Sequence, residues 1–297
     1  MPPTLKDIAE KLNVSIVTVS KALNNKPDIS KKTKQLIQKT AKELNYTPNG
    51  VARSLVRKNT NTLGVLVPDI SEPFYTSIIK SIDRVSKRNN YNIILIDTDR
   101  NHEIEYKSVM MLLEKRVSGI LIDPPDVNCK SIELLKKGEV PFVIFNWPSN
   151  AFNCNSVGSD NVCGAYLAFN YLINKGYEKF YYMYSCTKSK SFYDRLEGCK
   201  KAFTQNNIPF EELELIYCPR DINLFYDTAL KRINHSGKRI GIHAWDDEMS
   251  IGVCKAILDK GLRIPEDVGI VGYDNIEYSK YSPIPLTTID NTTHENQ

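Results

Sequence analysis

The segment NVSIVTVSKALN, residues 13–24, decides how the first part of this chain folds. It contains three closely spaced β-branched residues, which are Ile16, Val17 and Val19. A strand would be plausible on that basis, but the flanking segments have apolar residues at helical spacing, and Ser15 is a typical helix N-cap residue. We therefore predict a tight turn at Asn13–Val14 and a helix that begins after Ser15. Packing rather than intrinsic propensity stabilises this helix.

Two further helices are predicted on either side of this segment. The first runs from a Thr4 cap to Leu12, and the third runs from a Ser30 cap to about Leu44. Each helix has one inward apolar face, formed by Leu5, Ile8, Ala9 and Leu12, by Val19, Ala22 and Leu23, and by Leu36, Ile37, Ala41 and Leu44. Three short helices with a tight turn between the first two make a helix-turn-helix.

The outward face of the second helix carries an apolar pair, Ile16 and Val17, among polar residues, which are Ser15, Ser20 and Lys21. Exposed apolar side chains are unfavourable in water, but they suit contact with thymine methyl groups and base edges in a major groove. Hydroxyl groups near the helix starts can donate to phosphate oxygens, and the candidates are Thr4, Ser15, Thr18, Ser30 and Thr33. The alternative is a structural three-helix subdomain with two stray surface hydrophobic residues.

Charge is distributed unevenly along the chain. Residues 1–58 contain 12 Lys and Arg against 4 Asp and Glu, whereas the remaining residues contain 27 against 31. A basic head on a mildly acidic body indicates contact with a polyanion, although a solvated lysine-rich face is an alternative. Seven scattered cysteines without a Cys-x-x-Cys pair, an opening segment unlike a secretory signal and the lack of a long apolar run favour a cytoplasmic protein with reduced thiols.

A short connecting segment follows the head, YTPNGVARSLVRKNT at residues 46–60. Pro48 ends the third helix, and Asn49 can cap one or two further helical turns. So short a helix is marginal alone. Because it carries Arg53, Arg57 and Lys58, we expect it to become ordered against DNA.

From Thr62 the chain alternates between apolar runs and amphipathic helices, typical of buried parallel sheets covered by helices. Two such series, separated near residues 149–160, predict an α/β fold with two doubly wound parallel-sheet subdomains and a cleft between them. Ligands of such sheets bind at the carboxyl ends of the strands. The polar and aromatic residues just after the apolar runs are Asp69, Ser71, Pro124–Asp126, Asn146, Trp147, Asp246, Asp247 and Asp274.

The head resembles a known family over nearly all of residues 4–57. TLKDIAEKLNVSIVTVSKALN at 4–24 and ISKKTKQLIQKTAKELNYTPNGVARSL at 29–55 are similar to the DNA-binding headpiece of the lactose-repressor (LacI/GalR) family of transcription regulators. The resemblance implies base contacts from Ile16, Val17 and Lys21, and a hinge helix that pairs with its twin in the minor groove. Leu55 matches the leucine wedge of that hinge. Lys21 departs from the usual arginine, which grips guanine with two parallel bonds.

The body resembles the same family's effector-binding core, itself similar to periplasmic sugar-binding proteins. The matching stretches are RLEGCKKAF at 195–203, GLRIPEDVGIVGYDN at 261–275 and PIPLTTI at 283–289. By position, Arg195, Asp246, Asp274 and Asn146 match residues that hydrogen-bond the effector, while Phe74 and Tyr75 match aromatic walls. We expect Trp147 to stack on a sugar ring, and we include Asp69 among the effector-binding residues, although a loop charge is an equal alternative for it.

An arginine with carboxylates and an amide suits a polyhydroxyl ligand, because each hydroxyl both donates and accepts. The resemblance also disfavours a purine ligand. Purine-binding members of the family have a second arginine a few residues before the position of Arg195, whereas SCTKSKSFYDR at 185–195 has lysines there. Alternatives to a sugar-responsive repressor are a cytoplasmic solute-binding protein and a regulator that responds to a nucleobase or a protein corepressor.

We predict four segments: a head at 1–48, a hinge helix and linker at 49–60, an effector core at 61–290 and a polar tail at 291–297. The core divides into subdomains at about 61–158 and 159–285. The family pattern continues beyond LTTID at 286–290 with a helix and a last strand, so we expect the chain either to be truncated relative to the family or to form its dimer differently.

Motifs for catalysis, phosphate binding and metal coordination are missing from the sequence. Paired carboxylates such as Asp246 and Asp247 could perform acid–base chemistry, but sequence neighbours usually point apart. We expect no enzyme activity, no cofactor and no metal, but a homodimeric DNA-binding regulator.

Overall fold

The computed structural model describes residues 3–47, 60–126, 129–147, 153–185, 189–235 and 237–291. The chain separates into two compact units, Met1–Thr60 and Asn61–Gln297, and each is described by itself. The predicted hinge residues Asn49, Arg53 and Leu55 lie outside the described residues.

The first unit contains three described helices, α1 (Leu5–Leu12), α2 (Ile16–Leu23) and α3 (Lys31–Glu43). Each begins after its predicted N-cap, and the side chains of Thr4, Ser15 and Ser30 accept hydrogen bonds from backbone N–H groups of the first turn. The turn between α1 and α2 places Asn13 in the left-handed region at φ 51°. The helix-turn-helix prediction is confirmed.

The head has one small core, formed by Ile8, Ala9, Val19, Ala22, Ile37 and Ala41. The prediction that Leu36 lies inside is wrong, because Leu36 is 51% exposed whereas Thr40 is buried. The inward stripe of α3 follows Ile37, Thr40, Ala41 and Leu44 at helical spacing. Leu36 lies one position off that stripe and turns toward solvent.

The second unit contains a first sheet of five parallel strands in the order β2-β1-β3-β4-β5. Its strands are β1 (Thr62–Val67), β2 (Asn92–Asp97), β3 (Gly119–Ile122), β4 (Phe142–Phe145) and β5 (Ser156–Val157). Its helices are α4 (Pro73–Arg88), α5 (His102–Glu114) and α6 (Lys130–Lys137).

A second five-stranded parallel sheet follows, in the order β10-β9-β8-β6-β7. Its strands are β6 (Lys179–Tyr184), β7 (Leu213–Tyr217), β8 (Ile240–Ala244), β9 (Val268–Tyr273) and β10 (Thr287–Ile289). Its helices are α7 (Asn161–Asn174), α8 (Lys190–Gln205), α9 (Ile222–Arg232) and α10 (Asp247–Asp259), with short 3₁₀ turns at Phe210–Glu212 and Glu277–Lys280.

Both sheets are doubly wound, which confirms the predicted fold class. In each, the first strand lies between the second and the third, so the chain changes winding direction beside β1 and beside β6. Strands β5 and β10, which were not predicted, are edge strands of two and three residues. No helix of the described residues is long and apolar enough to cross a membrane.

Candidate functional site

Helix α2 has both buried and exposed apolar residues. Val19 and Ala22 are fully buried in the head core and fix the helix against its neighbours. Val17 points away from this buried face and is 62% exposed, whereas Ile16, in the first turn, lies at the edge of the buried face and is 48% exposed. A single exposed apolar residue is ordinary, but two adjacent ones beside a buried anchoring face indicate a contact surface. We call Ile16, Val17 and Lys21 the reading surface.

The hydroxyl groups predicted to contact phosphates are arranged in two pairs. Ser15 Oγ lies 2.9 Å from Thr18 Oγ1, and Ser30 Oγ lies 2.8 Å from Thr33 Oγ1. Within each pair one hydroxyl donates to the other, which leaves one proton of each pair for another acceptor. Thr4 differs, because its hydroxyl donates to the Asp7 carboxylate at 2.8 Å.

Lys21 is not isolated on the reading surface. Its Nζ lies 2.5 Å from Asp28 Oδ2, and both side chains are about half exposed. The hydrogen bond from Lys21 lowers the pKa of Asp28 below its usual value. An exposed ion pair of this kind contributes little to stability, so Lys21 can exchange Asp28 for a base or a phosphate at small cost.

In the second sheet subdomain, Arg195 of α8 is buried and held on several sides. Its Nε donates to Asn161 Oδ1 at 2.9 Å, and its Nη1 donates to the backbone oxygen of Trp245 at 2.5 Å. The guanidinium carbon lies 3.6 Å from the ring centroid of Tyr273 and 4.6 Å from that of Trp245. These contacts fix the orientation of the remaining donors.

Asp274, just after β9, is partly buried near Arg195. Burial raises the pKa of its carboxyl to about 7, although Arg195 acts in the opposite direction. The backbone of Asp274 has φ 95°, which a residue other than glycine rarely adopts and which often marks a binding site. Near neutral pH this carboxyl exists in both forms and can donate or accept a hydrogen bond.

Asp246 and Asp247 are adjacent in sequence but point in different directions. Asp246 caps α10 through Met249 N at 2.8 Å, and its other oxygen lies 3.1 Å from Arg220 Nη2. Asp247 is fully buried and accepts hydrogen bonds from Thr288 Oγ1 at 2.5 Å and from Ile276 N at 2.9 Å. Asp247 therefore holds the β9–β10 region together. Of the two aspartates, Asp246 is the one that pairs with Arg220.

In the first sheet subdomain, three predicted effector residues converge on the buried carboxyl of Asp123. Tyr75 Oη donates to it at 2.7 Å, Asn146 Nδ2 at 3.0 Å and Trp147 Nε1 at 2.8 Å. Burial raises the pKa of Asp123 to about 6. Trp147 is 6% exposed and belongs to the core behind the sheet. With so little of its ring exposed, we drop the stacking role for Trp147.

The remaining two predicted effector-binding residues, Phe74 and Asp69, lie near the start of α4. Phe74 packs edge-on against Tyr75, with ring centroids 5.1 Å apart. Asp69 Oδ1 accepts hydrogen bonds from Ser71 N at 2.8 Å and from Ser71 Oγ at 2.6 Å. Partial burial acts to raise the pKa of Asp69, but the bonds from Ser71 help to hold it below its usual value.

Arg220, which the sequence analysis missed, links the two sheet subdomains. It follows β7, and it lies 3.1 Å from Asp246, 2.9 Å from Glu248 and 3.4 Å from Glu72. Glu72 is the buried N-cap residue of α4, and burial raises its pKa to about 7. Glu72 also pairs with Arg100, which follows β2. Ligands of parallel sheets bind beside the residues that follow each strand. Applying this rule to β7 would have identified Arg220 from the sequence.

Comparison with known proteins gives matches over most of the chain. Residues 4–49 match the model described as "Bacterial regulatory proteins, lacI family". Residues 60–296 match the model described as "Periplasmic binding proteins and sugar binding domain of LacI family". The two models meet near the linker that follows the head.

Curated proteins and solved structures show the same similarity. The chain is 32% identical over 291 residues to the HTH-type transcriptional repressor PurR of Vibrio atlanticus, covering 96% of this chain and 86% of that protein. A lac repressor dimer bound to operator and the anti-inducer ONPF matches with a TM-score of 0.87 and 26% identity, over 97% of this chain and 87% of that one. A LacI family transcriptional regulator from Enterococcus faecium with bound ribose matches with a TM-score of 0.67 and 31% identity, over 76% of this chain and 82% of that one.

The relatives are transcriptional repressors rather than enzymes, and the predicted resemblance is confirmed along both parts of the chain. Its DNA-binding helices and its effector-binding core thus have matching counterparts in one group of proteins. This chain belongs to the LacI family of bacterial regulatory proteins.

Proposed function

We propose that this protein is a cytoplasmic, sequence-specific DNA-binding repressor that acts as a homodimer on a pseudo-palindromic operator. The observation that carries the proposal is the exposure of Ile16 and Val17 on a helix that Val19 and Ala22 anchor in the head core. The similar lac repressor structure is a dimer bound to operator, which supports the same arrangement here. The proposed segments are 1–48 for DNA binding, 49–60 for the hinge, 61–290 for the effector core and 291–297 for the tail.

On DNA, the reading surface lies in the major groove. Ile16 and Val17 contact thymine methyl groups, and Lys21 exchanges Asp28 for a guanine or a phosphate. The free proton of the Ser15–Thr18 pair and that of the Ser30–Thr33 pair bind phosphate oxygens. Ser20 of α2 and Thr4, the cap of α1, are also proposed to contact DNA. The hinge prediction is retained, with Asn49 and Arg53 near the backbone and Leu55 as the minor-groove wedge.

The effector proposed for the core is a sugar or sugar derivative. Arg195, Asp246 and Asp274 supply donors and acceptors from the second sheet subdomain, and Asn146 supplies an amide from the first. Phe74 and Asp69 form the wall near α4, whereas Tyr75 is as buried as Trp147 and supports this wall through its hydrogen bond to Asp123. The bound ribose in the Enterococcus faecium relative supports this ligand class.

Effector and operator binding are linked through the angle between the two sheet subdomains. Arg220 already joins Glu72 of the first subdomain to Asp246 of the second. A ligand that takes over the contacts of Asp246 changes this link and so changes the relative stability of the open and closed forms. Coupling of this kind amounts to about 1–3 kcal/mol.

A gel shift with a short palindromic duplex at two salt concentrations tests the DNA-binding proposal. We expect operator affinity to fall by about 10³-fold or more between 50 and 200 mM salt if the dimer neutralises at least six phosphates. A solute-binding protein would not shift the duplex at either concentration, and that result would reject the proposal.

Isothermal titration against a panel of sugars and nucleobases tests the effector class separately. Binding of a sugar is expected. Binding of a nucleobase alone would contradict the polyhydroxyl assignment while leaving the DNA-binding proposal intact.

A further inference from the structure

A cluster of three potential metal ligands lies at the carboxyl edge of the first sheet. It comprises His102, Asp126 and Cys129, whose ligand atoms all lie within 4.8 Å of one another. Cys129 Sγ is 3.5 Å from His102 Nδ1 and 4.0 Å from Asp126 Oδ1, and His102 Nε2 is 3.0 Å from Asp126 Oδ2. We call these residues the thiol–imidazole cluster.

The fold brings these ligands together from two separate segments. His102 is the first residue of α5, which follows β2, whereas Asp126 follows β3 and Cys129 is the N-cap residue of α6. The carboxyl ends of β2 and β3 meet at one edge because the strands are parallel. The helix starts therefore fix the ligand positions on both sides.

A fourth residue, Glu105, provides a second and independent observation. Its side chain is almost completely buried, and its carboxylate lies next to the Cys129 thiol. Ser131 hydrogen-bonds one carboxylate oxygen, while the other, Oε2, is buried and has no hydrogen-bond partner among the residues that the structure describes. A buried carboxylate oxygen without a well-placed partner is costly, and either protonation of the carboxyl or a neighbouring cation reduces this cost.

We propose that His102, Asp126 and Cys129 bind one divalent transition-metal ion of the zinc class, with the buried Glu105 carboxylate beside Cys129 adding negative charge next to the ion. A thiolate, an imidazole and carboxylates form a mixed set that suits Zn²⁺ better than Mg²⁺ or Ca²⁺, which prefer oxygen ligands alone. Zn–S and Zn–N bonds of about 2.3 and 2.0 Å at a tetrahedral angle separate sulfur and nitrogen by roughly 3.5 Å. The Cys129–His102 separation already has this value.

Metal binding replaces the thiol proton of Cys129, which is released to solvent as the Zn–S bond forms. His102 is largely exposed and needs only a small side-chain rotation to present one nitrogen to the ion. The proposal differs from the expectation from sequence that no metal is bound. A search for local motifs could not find this site, because His102 lies 24 positions from Asp126 and 27 from Cys129.

Cobalt substitution tests the proposal on the full chain. The metal-free protein is titrated with Co²⁺, and we expect a thiolate-to-cobalt charge-transfer band that saturates at one ion per chain and disappears when Zn²⁺ is added. Cys129→Ser should abolish this band. The matched control is Cys163→Ser, which removes an exposed thiol of another element and should leave the band unchanged.

If Cys129→Ser fails to fold, His102→Ala tests the metal site instead. The His102 side chain is exposed, so its removal should have little effect on packing. We expect the Co²⁺ affinity of this variant to fall by more than about tenfold. The proposal is overturned if wild-type protein shows no band, if the band survives Cys129→Ser, or if His102→Ala binds Co²⁺ as tightly as wild type. None of these readouts depends on DNA or on a sugar, so the regulator proposal stands or fails separately.

Discussion

The three-helix head and the two-sheet core use their charged groups in opposite ways. In the head, the ion pairs are exposed, as in the pair between Lys21 and Asp28. In the core, Glu72, Asp123 and Asp274 are shielded, and burial raises the pKa of each. The difference indicates that the head recognises a partner through a charged surface, whereas the core recognises one through prearranged, desolvated groups.

The substitution Arg195→Met tests the importance of the buried charges in the core, and it should have the largest effect of those predicted here. Removing a buried, hydrogen-bonded charge from a binding site costs about 2–5 kcal/mol, so we expect the affinity for the tightest-binding sugar of the panel to fall by at least about 30-fold. Calorimetric titration measures this loss.

The control is Arg232→Met, which removes an exposed arginine paired with Glu214 and should leave sugar affinity unchanged. Equal losses in the two variants would show that the core does not depend on its buried groups.

A second expected effect is on the pH dependence of stability. Glu72 has a folded-state pKa of about 7, above its unfolded value near 4.5. The folded core therefore binds more protons than the unfolded chain between these values, and its stability falls as pH rises from about 5 to about 7. We expect a loss on the order of 2 kcal/mol.

The stability of the head should instead fall as pH is lowered. Hydrogen bonds from Thr4 and Lys21 lower the pKa values of Asp7 and Asp28. Their contribution is present above the unfolded pKa and is lost only at acid pH. Hydrogen exchange read separately for α1–α3 and for β8–β9 distinguishes the two units. Glu72→Gln should make the profile of the core less steep, with the remaining slope due to groups such as Asp123 and Asp274, and should leave the profile of the head unchanged. A core profile as steep as that of wild type would contradict the assignment.

The smallest expected effect concerns Lys21→Arg. An arginine can form two parallel bonds to guanine, so operator affinity should rise by about fivefold, roughly 1 kcal/mol, while affinity for the sugar stays the same. Lys26→Arg is the control, because Lys26 is also exposed but lies beyond the end of α2. A gel shift compares the variants, and a gain in Lys26→Arg of the same size would indicate a nonspecific charge effect.

Local patterns were enough to predict the head and most strands. Capping residues such as Ser15 act within one helical turn, and apolar runs such as residues 62–67 define buried strands without knowledge of their neighbours. Leu36 was wrongly predicted to be buried because the apolar face of α3 could include Leu36 as well as its neighbour Ile37. The packing of α3 against α1 and α2 decides which side chains are buried, and that packing cannot be read from one helix.

The effector region was predictable only in part. The positions after each strand identified Asp246 and Asp274, but the partners of those residues come from other parts of the chain. Arg220 meets Glu72 across the two subdomains, and Asp123 gathers Tyr75 and Asn146 from separate strands and helices. Such pairings depend on tertiary structure, and neither composition nor spacing reveals them.

The most direct test of the account is the double variant Ile16→Ala, Val17→Ala. We expect its affinity for a palindromic operator to fall by roughly 10-fold or more, while binding to unrelated duplex DNA and the melting temperature stay close to those of wild type. If instead the melting temperature drops and both kinds of DNA binding weaken together, the two side chains support the fold of the head and do not read bases.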